Sequence, residues 1–128
     1  MFEKINPKKS LGQNFLKNQI TINLISDIIN IKESDYVIEI GPGMGAISSS
    51  ILDKTRNYVG IEKDPYLSKY LKKKYKKDIK IINEDVLKVE FSDIYKKKYR
   101  IIGNIPYNIS TEIIIKCIEN RMNIQSAF

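Results

Sequence analysis

Short apolar stretches alternate with helical patterns along this chain, and that alternation constrains its fold more than any other feature. The segments with strand character are residues 36–40, 57–62, 79–83 and 99–104. Helix-forming patterns lie before and between them, at residues 19–30, 47–54, 64–77 and 110–119. Strands that alternate with helices form parallel sheets through right-handed crossovers. The sequence therefore predicts an α/β fold built on a mostly parallel sheet.

The length of the chain predicts one domain or part of one, since it has 128 residues. Residues 124–128, IQSAF, resemble the beginning of a fifth strand. A doubly wound sheet that stops at that point lacks its remaining strands and helices. The expectation is therefore a C-terminally incomplete α/β domain from a longer protein.

Composition excludes several classes of protein. No apolar stretch approaches the roughly 18 residues that suggest a membrane-spanning helix, and the N-terminal MFEKINPKKS lacks the apolar core of a signal peptide. We therefore expect a cytoplasmic protein. The single cysteine, Cys117, excludes an internal disulfide framework. The chain has no histidine, so no metal site is expected and catalysis has to proceed without an imidazole base.

The formal net charge of +7 leaves two interpretations open. A basic protein suits a polyanionic partner such as nucleic acid. However, Lys outnumbers Arg by 19 to 3, and lysine has A/T-rich codons, so codon bias also explains the charge. The lysine clusters at 72–77 and 96–98 are accordingly predicted either to contact phosphates or to be simply solvated.

Polar signals follow each of the four predicted strands. The glycine-rich GPGMG at 41–45 follows the first, Glu62 ends the second, Asp85 follows the third and Asn104 follows the fourth. Ligands of α/β sheets bind beyond the carboxyl ends of the strands. A carboxylate at Glu62 can accept both hydroxyls of a ribose, and one at Asp85 can accept from an adenine amino group. We therefore expect an adenosine-bearing cofactor at this edge of the sheet.

The glycine-rich segment fits two such cofactors. The spacing Gly41-x-Gly43-x-x-Ala46 satisfies the dinucleotide fingerprint, which keeps NAD as an alternative. Pro42, however, removes a backbone donor from a loop that would cradle a pyrophosphate. The Asn-Ile-Pro-Tyr at 104–107 also has no role in hydride transfer. S-adenosylmethionine, which carries no diphosphate, is the favoured interpretation.

The Asn-Ile-Pro-Tyr segment has the groups that methylation of an adenine amine requires. The side chain of Asn104 and the carbonyl of Ile105 or Pro106 can each accept one N–H bond from that amine. Tyr107 offers a flat face on which a flipped-out base can stack. The proton leaves after the amine has attacked, so no histidine is needed. The alternative interpretation is a proline-containing turn capped by asparagine and followed by a surface tyrosine.

Three motifs in the chain resemble those of the ribosomal RNA adenine dimethyltransferases, of the small-subunit type that modifies two adjacent adenosines near the RNA 3′ end. The motifs are KSLGQNFL at 9–16, VIEIGPGMG at 37–45 and GNIPYNIS at 103–110. The resemblance spans nearly the whole chain. It implies a Rossmann-like methyltransferase fold, S-adenosylmethionine as cofactor, ribosomal RNA or the pre-ribosomal small subunit as partner, and a monomer.

The resemblance also implies a set of site residues. Its cofactor-binding positions are Asn14, Leu16, Gly41, Glu62, Asp85 and Asn104. Asn14 and Leu16 would belong to an N-terminal segment, residues 1–18, that folds back over the cofactor, and Gly41 would pack against its methionine part. Asn104 would face both cofactor and target base, and Pro106 and Tyr107 would complete the catalytic turn.

The resemblance has one departure and leaves alternatives. Family members continue with a Phe-x-x-Gln-Lys-Glu segment, further strands and a C-terminal helical domain that helps to grip RNA, which this sequence lacks. An antibiotic-resistance relative methylates a large-subunit adenine with the same motifs, although PYNIS at 106–110 favours the small-subunit type. A non-catalytic assembly or RNA-binding protein is disfavoured by the intact catalytic turn. A DNA adenine methyltransferase is disfavoured by GQNFL at 12–16.

Overall fold

A computed structural model describes residues 18–76, 79–103 and 110–128 of the chain. Its five strands are β1 (Val37–Ile40), β2 (Tyr58–Ile61), β3 (Ile81–Ile82), β4 (Tyr99–Gly103) and β5 (Ile124–Ala127). All five pair in parallel, in the order β3-β2-β1-β4-β5. The predicted parallel α/β sheet is therefore confirmed, including the strand expected at residues 124–128.

In the described part of the chain, one α-helix precedes β1 and four more lie between the strands. They are α1 (Gln19–Ile29), α2 (Ser48–Leu52), α3 (Pro65–Tyr75), α4 (Phe91–Ile94) and α5 (Ser110–Glu119), and a 3₁₀ turn covers Val86–Lys88. Asp64 starts α3 by accepting a hydrogen bond from the Tyr66 amide at 2.8 Å, and Pro65 occupies the first helical turn. The sequence pattern did not predict α4 or the 3₁₀ turn, because a single turn is too short to show a helical period.

The strand order reverses beside β1. The chain runs outward from β1 to β2 and β3 and then crosses back to β4 on the other side of β1. In this register Glu39 lies between Gly60 of β2 and Ile102 of β4. A reversal of this kind opens a crevice at the carboxyl ends of the strands, where ligands of such sheets bind.

The sheet has a hydrophobic core on each face. Because successive side chains of a strand point to opposite faces, Val37 packs with Ile51 of α2 and Leu71 of α3. Ile38 packs on the other face with Phe91 of α4 and other buried residues. All four residues of β1 are buried, as expected for a parallel strand that is covered on both sides. Within the described ranges, no helix combines the length and apolar composition that crossing a bilayer requires.

Arg100 is a charged residue inside the core, on β4. Its side chain donates to Asp35 Oδ2 at 3.0 Å, to Ser126 Oγ at 2.8 Å and to the carbonyl oxygen of Ile29. The last contact satisfies a carbonyl at the C-terminal end of α1, where a positive charge is favourable. Arg100 thus ties α1 and β5 to the sheet. Sequence reasoning missed this role because Asp35 is 65 residues away in the chain.

Replacing Arg100 with Met would leave Asp35 buried without its cation. We expect the change to lower the free energy of unfolding by about 3–5 kcal/mol, the scale for removing one partner of a buried ion pair. Adding Asp35→Asn should cost less than the sum of the two single changes, since it removes the unpaired charge. Urea denaturation measures each variant. The exposed Arg121→Met is the control and should change the free energy of unfolding little. If Arg100→Met lowers the free energy of unfolding no more than Arg121→Met does, Arg100 does not have the role given to it.

Candidate functional site

The turn between β1 and α2 depends on glycine. Gly41 has a φ of 64° and Gly43 a φ of 63°, in the left-handed region that other residues rarely adopt. Backbone bonds order the turn: the Gly41 amide donates to Ile61 O, and the Gly45 amide donates to Pro42 O, both at 2.9 Å. At Gly41 and Gly43 the turn therefore carries no side chain, so a ligand can approach its backbone closely at the carboxyl end of β1.

Glu62 follows β2 directly and is buried, with 6% of its surface exposed. Its Oε1 accepts from the Gly43 amide at 3.0 Å, and its Oε2 accepts from the Asp64 amide at 3.0 Å. A carboxylate has about four acceptor positions, so the bonds from Gly43 and Asp64, with a weaker one from the Lys63 amide, leave room for a ligand hydroxyl. The structure thus places Glu62 beside the glycine turn. The sequence did not predict the hydrogen bond from Gly43 to Glu62, because the two residues are 19 positions apart and no local pattern links them.

Asp85 lies at the carboxyl end of the neighbouring strand, β3. Its Oδ1 accepts from the Leu87 amide at 3.0 Å and begins the 3₁₀ turn, while its Oδ2 lies 3.8 Å from Lys63 Nζ. Asn83 Nδ2 donates to the carbonyl oxygens of Glu62 at 2.8 Å and Lys63 at 3.1 Å. These bonds hold the ends of β2 and β3 together, so the two predicted carboxylates stand on adjacent strand ends.

A third carboxyl, Glu39, is buried inside β1 with 2% of its surface exposed. Its Oε1 accepts from the hydroxyls of Ser48 and Tyr58, both at 2.5 Å. Burial raises the pKa of Glu39 to about 7, against the lowering effect of the two hydroxyl bonds, and the charge of Glu62 adds to the rise. Burial also raises the pKa of Glu62, which the amides of Asp64 and Gly43 partly oppose. Sequence reasoning gave Glu39 no role.

The other predicted site residues lie outside the described residues. They are Asn14, Leu16, Asn104, Pro106 and Tyr107. Their roles stay predictions. Among residues 18–76, 79–103 and 110–128, no group of three or more His, Cys, Asp or Glu side chains is arranged to hold a metal ion.

Comparison with known proteins gives the family. Residues 4–128 match the family model described as ribosomal RNA adenine dimethylase. The chain belongs to this family. The match covers the glycine turn, Glu62 and Asp85, and it confirms the resemblance inferred from the three sequence motifs.

Curated members of the family share more than a third of their aligned residues with this chain. The Ribosomal RNA small subunit methyltransferase A of Pelagibacter ubique is 47% identical over 126 residues, covering 97% of this chain and 46% of the relative. The protein of the same name from Flavobacterium johnsoniae is 44% identical over 124 residues, covering 95% and 48%. The chain thus spans about half the length of the curated relatives it matches.

Solved structures confirm the Rossmann-like methyltransferase fold. The crystal structure of 23S rRNA methyltransferase ErmE superposes with a TM-score of 0.79 at 31% identity, covering 89% of this chain and 46% of that one. A dimethyladenosine transferase from Plasmodium falciparum has a TM-score of 0.77 at 28% identity, covering 89% and 42%. An RNA methyltransferase from Salinibacter ruber, solved with S-adenosyl-L-homocysteine, has a TM-score of 0.68 at 17% identity over 87% of this chain and 72% of that one. At that identity it shows the fold alone.

The raised pKa of Glu39 makes stability depend on pH. The folded chain binds the proton of Glu39 more tightly than the unfolded chain, so this stabilisation is complete below the ordinary glutamate pKa of 4.5 and is lost as pH rises through about 7. We expect the unfolding free energy of the unaltered chain, relative to that of Glu39→Gln, to fall by roughly 3 kcal/mol from about pH 4 to pH 8. Urea denaturation across this range measures it, with the exposed Glu90→Gln as the control for losing one carboxylate. Parallel curves for the unaltered chain and Glu39→Gln would show that Glu39 has no such linkage.

Proposed function

We propose that the chain is the N-terminal part of the catalytic domain of a ribosomal RNA (adenine-N6,N6)-dimethyltransferase. The enzyme transfers methyl groups from S-adenosylmethionine to two adjacent adenosines near the 3′ end of small-subunit ribosomal RNA during ribosome maturation. The observation that carries the proposal is the buried Glu62 carboxylate, which braces the glycine turn and keeps acceptor capacity for a ligand hydroxyl. The names of the curated relatives support the choice of RNA.

The described residues suit S-adenosylmethionine. The ribose hydroxyls require a carboxylate acceptor, which Glu62 offers, and the adenine amine requires one acceptor, which Asp85 Oδ2 offers. Gly41 lets the methionine part approach the backbone, and Pro42 lacks the amide that a pyrophosphate would use. When bound, this cofactor supplies a methyl group activated by a positively charged sulfur. Residues 1–18, with Asn14 and Leu16, would cover it and exclude water.

The segment that follows β4 would hold the target base. Asn104 and the carbonyl of Ile105 or Pro106 would accept the two N–H bonds of the adenine amine and direct its lone pair toward the methyl group. Tyr107 would stack on the flipped-out base. Pro106 would stiffen the turn so that the carbonyl keeps its direction. The amine loses its proton after it has attacked the methyl group, so no strongly basic side chain is required.

Methylation of large-subunit RNA is a second candidate, favoured by the structural likeness to the 23S rRNA methyltransferase. The curated relatives at 44% and 47% identity favour the small subunit. A non-catalytic role in ribosome assembly would appear as RNA binding without methyl transfer. We also propose that the enzyme is cytoplasmic and monomeric and depends on neither a metal ion nor a membrane.

Glu62 offers the first test of the cofactor. We expect Glu62→Ala to weaken S-adenosylmethionine binding by roughly 1–3 kcal/mol, the scale of hydrogen bonds to a charged group. Glu62→Gln should lose less, because its amide oxygen retains acceptor positions. Isothermal calorimetry on the chain gives the dissociation constants, with the exposed Glu90→Gln as the matched control. An unchanged affinity in Glu62→Ala would remove Glu62 from the site.

Methyl transfer is tested on the chain alone and on a chimera in which the C-terminal half of the Pelagibacter ubique relative follows Phe128. We expect transfer to small-subunit RNA by the chimera and none by the chain alone, since the chain spans about half of that relative. In the chimera, Asn104→Ala should abolish transfer while keeping cofactor affinity within about tenfold. Labelled cofactor with separate small-subunit, large-subunit and DNA substrates measures this. An active Asn104→Ala chimera would contradict the role of the catalytic turn.

A further inference from the structure

The two ends of the glycine turn are joined by a buried side-chain bond. Glu39 is the last residue but one of β1, and Ser48 is the first residue of α2. The Ser48 hydroxyl donates to Glu39 Oε1 at 2.5 Å, and both residues are almost fully buried. This bond closes the segment that carries Gly41 and Gly43. Movement of the turn would therefore have to stretch or break it.

A second bond to the same oxygen brings in β2. The Tyr58 hydroxyl donates to Glu39 Oε1 at 2.5 Å and lies 3.2 Å from the Ser48 hydroxyl. Tyr58 is 4% exposed. Three buried polar groups from β1, β2 and α2 thus form one network. Such a network holds its members in one arrangement when all of them are paired, and it is costly when one is not.

The outer side of the turn is held independently of Glu39. Glu62 Oε1 accepts from the Gly43 amide, and α3 adds two contacts. Tyr75 donates its hydroxyl to Gly45 O at 3.2 Å, and Lys74 Nζ donates to Met44 O at 3.3 Å. The turn therefore lies between a buried carboxyl at its base and a second carboxyl on its ligand side.

We propose that Glu39 is a positioning residue: its ionised carboxylate holds the glycine turn in the shape that binds S-adenosylmethionine, and protonation of Glu39 weakens that binding. The inference rests on the proposed function. Glu39 acts through Ser48, Tyr58 and the turn, and makes no contact with the cofactor. The physical reason is that hydrogen bonds to an ionised acceptor are roughly twice as strong as neutral ones.

The surroundings of Glu39 put its protonation near neutral pH. Burial raises its pKa to about 7. The titratable groups that act on it or on its hydroxyl partners are Tyr58 of β2, Glu62 after β2 and Tyr75 of α3. The charged Lys74 of α3 contacts the turn at Met44 O. On the opposite side β4 places the apolar Ile102 beside it. Since burial also raises the pKa of Glu62, the test has to separate the two carboxyls.

Cofactor affinity as a function of pH separates them. We expect the dissociation constant of the unaltered chain for S-adenosylmethionine to rise about three- to tenfold from pH 8 to pH 6. Glu39→Gln should show the weaker affinity with a flat profile. Tyr58→Phe should keep the dependence with a midpoint at higher pH, because the Tyr58 hydroxyl stabilises the ionised carboxyl. Tyr95→Phe is the matched control, since the Tyr95 hydroxyl also donates to β1, to Val37 O at 3.3 Å, but does not contact Glu39.

A second measurement needs no ligand. In the unaltered chain the backbone amide NMR shift of Gly45, whose amide donates to Pro42 O and not to Glu62, should titrate with a midpoint near the pKa of about 7, and in Glu39→Gln this titration should disappear. A dissociation constant in Glu39→Gln that still depends on pH would overturn the proposal and assign the effect to Glu62. Absence of S-adenosylmethionine binding at every pH would contradict the proposed function. The amide titration would then decide whether Glu39 controls the turn, and an identical titration in Glu39→Gln would overturn that claim also.

Discussion

The pairing of β1 with β2 on one side and β4 on the other is the constraint on which the rest of this structure depends. A central strand covered on both faces has no access to water, so a polar side chain there needs a partner within the protein. Glu39 meets this requirement through two hydroxyls, and Arg100 of β4 meets it through Asp35 and a helix end. The carboxylates that can bind a ligand, Glu62 and Asp85, consequently lie at the strand ends, where a ligand can reach them.

Much of this fold could be predicted from the sequence because its signals are local. Apolar runs of four or five residues, glycine after the first strand and Pro65 at a helix start each act within a few positions. The segment from Val86 to Ile94 was missed because its two helical turns have only 3 and 4 residues, too few for an apolar period to repeat. The contacts of Arg100 and the Tyr58–Glu39 bond were missed for another reason: their partners are 65 and 19 residues away. No local pattern specifies such pairs.

In the candidate site, too, some features could be predicted from the sequence and others could not. The positions of Gly41, Glu62 and Asp85 follow from the rule that parallel strands present their carboxyl ends at one edge. The hydrogen bonds of these residues do not follow from it, and the second role of Glu62, as a brace for the turn, became visible only in three dimensions. Asn14 was found through the resemblance to a family, because the sequence around it, GQNFL, has no pattern that predicts a binding site by itself.

The short strand β3 makes one end of the site, the end beside Asp85, less rigid than the rest. Its register with β2 covers Ile81 and Ile82, at the edge of the sheet. Lys80 O and Ile82 O accept backbone bonds from β2 and from the residue that follows it, and the side chain of Asn83 supplements this pairing. Edge segments with few backbone bonds open locally before the centre of a sheet does, so their amide hydrogens exchange with solvent soonest. A ligand that contacts both Glu62 and Asp85 would link this edge to the interior and slow that exchange. The Asp85 end of the crevice is thus the part whose order would change most when a ligand binds.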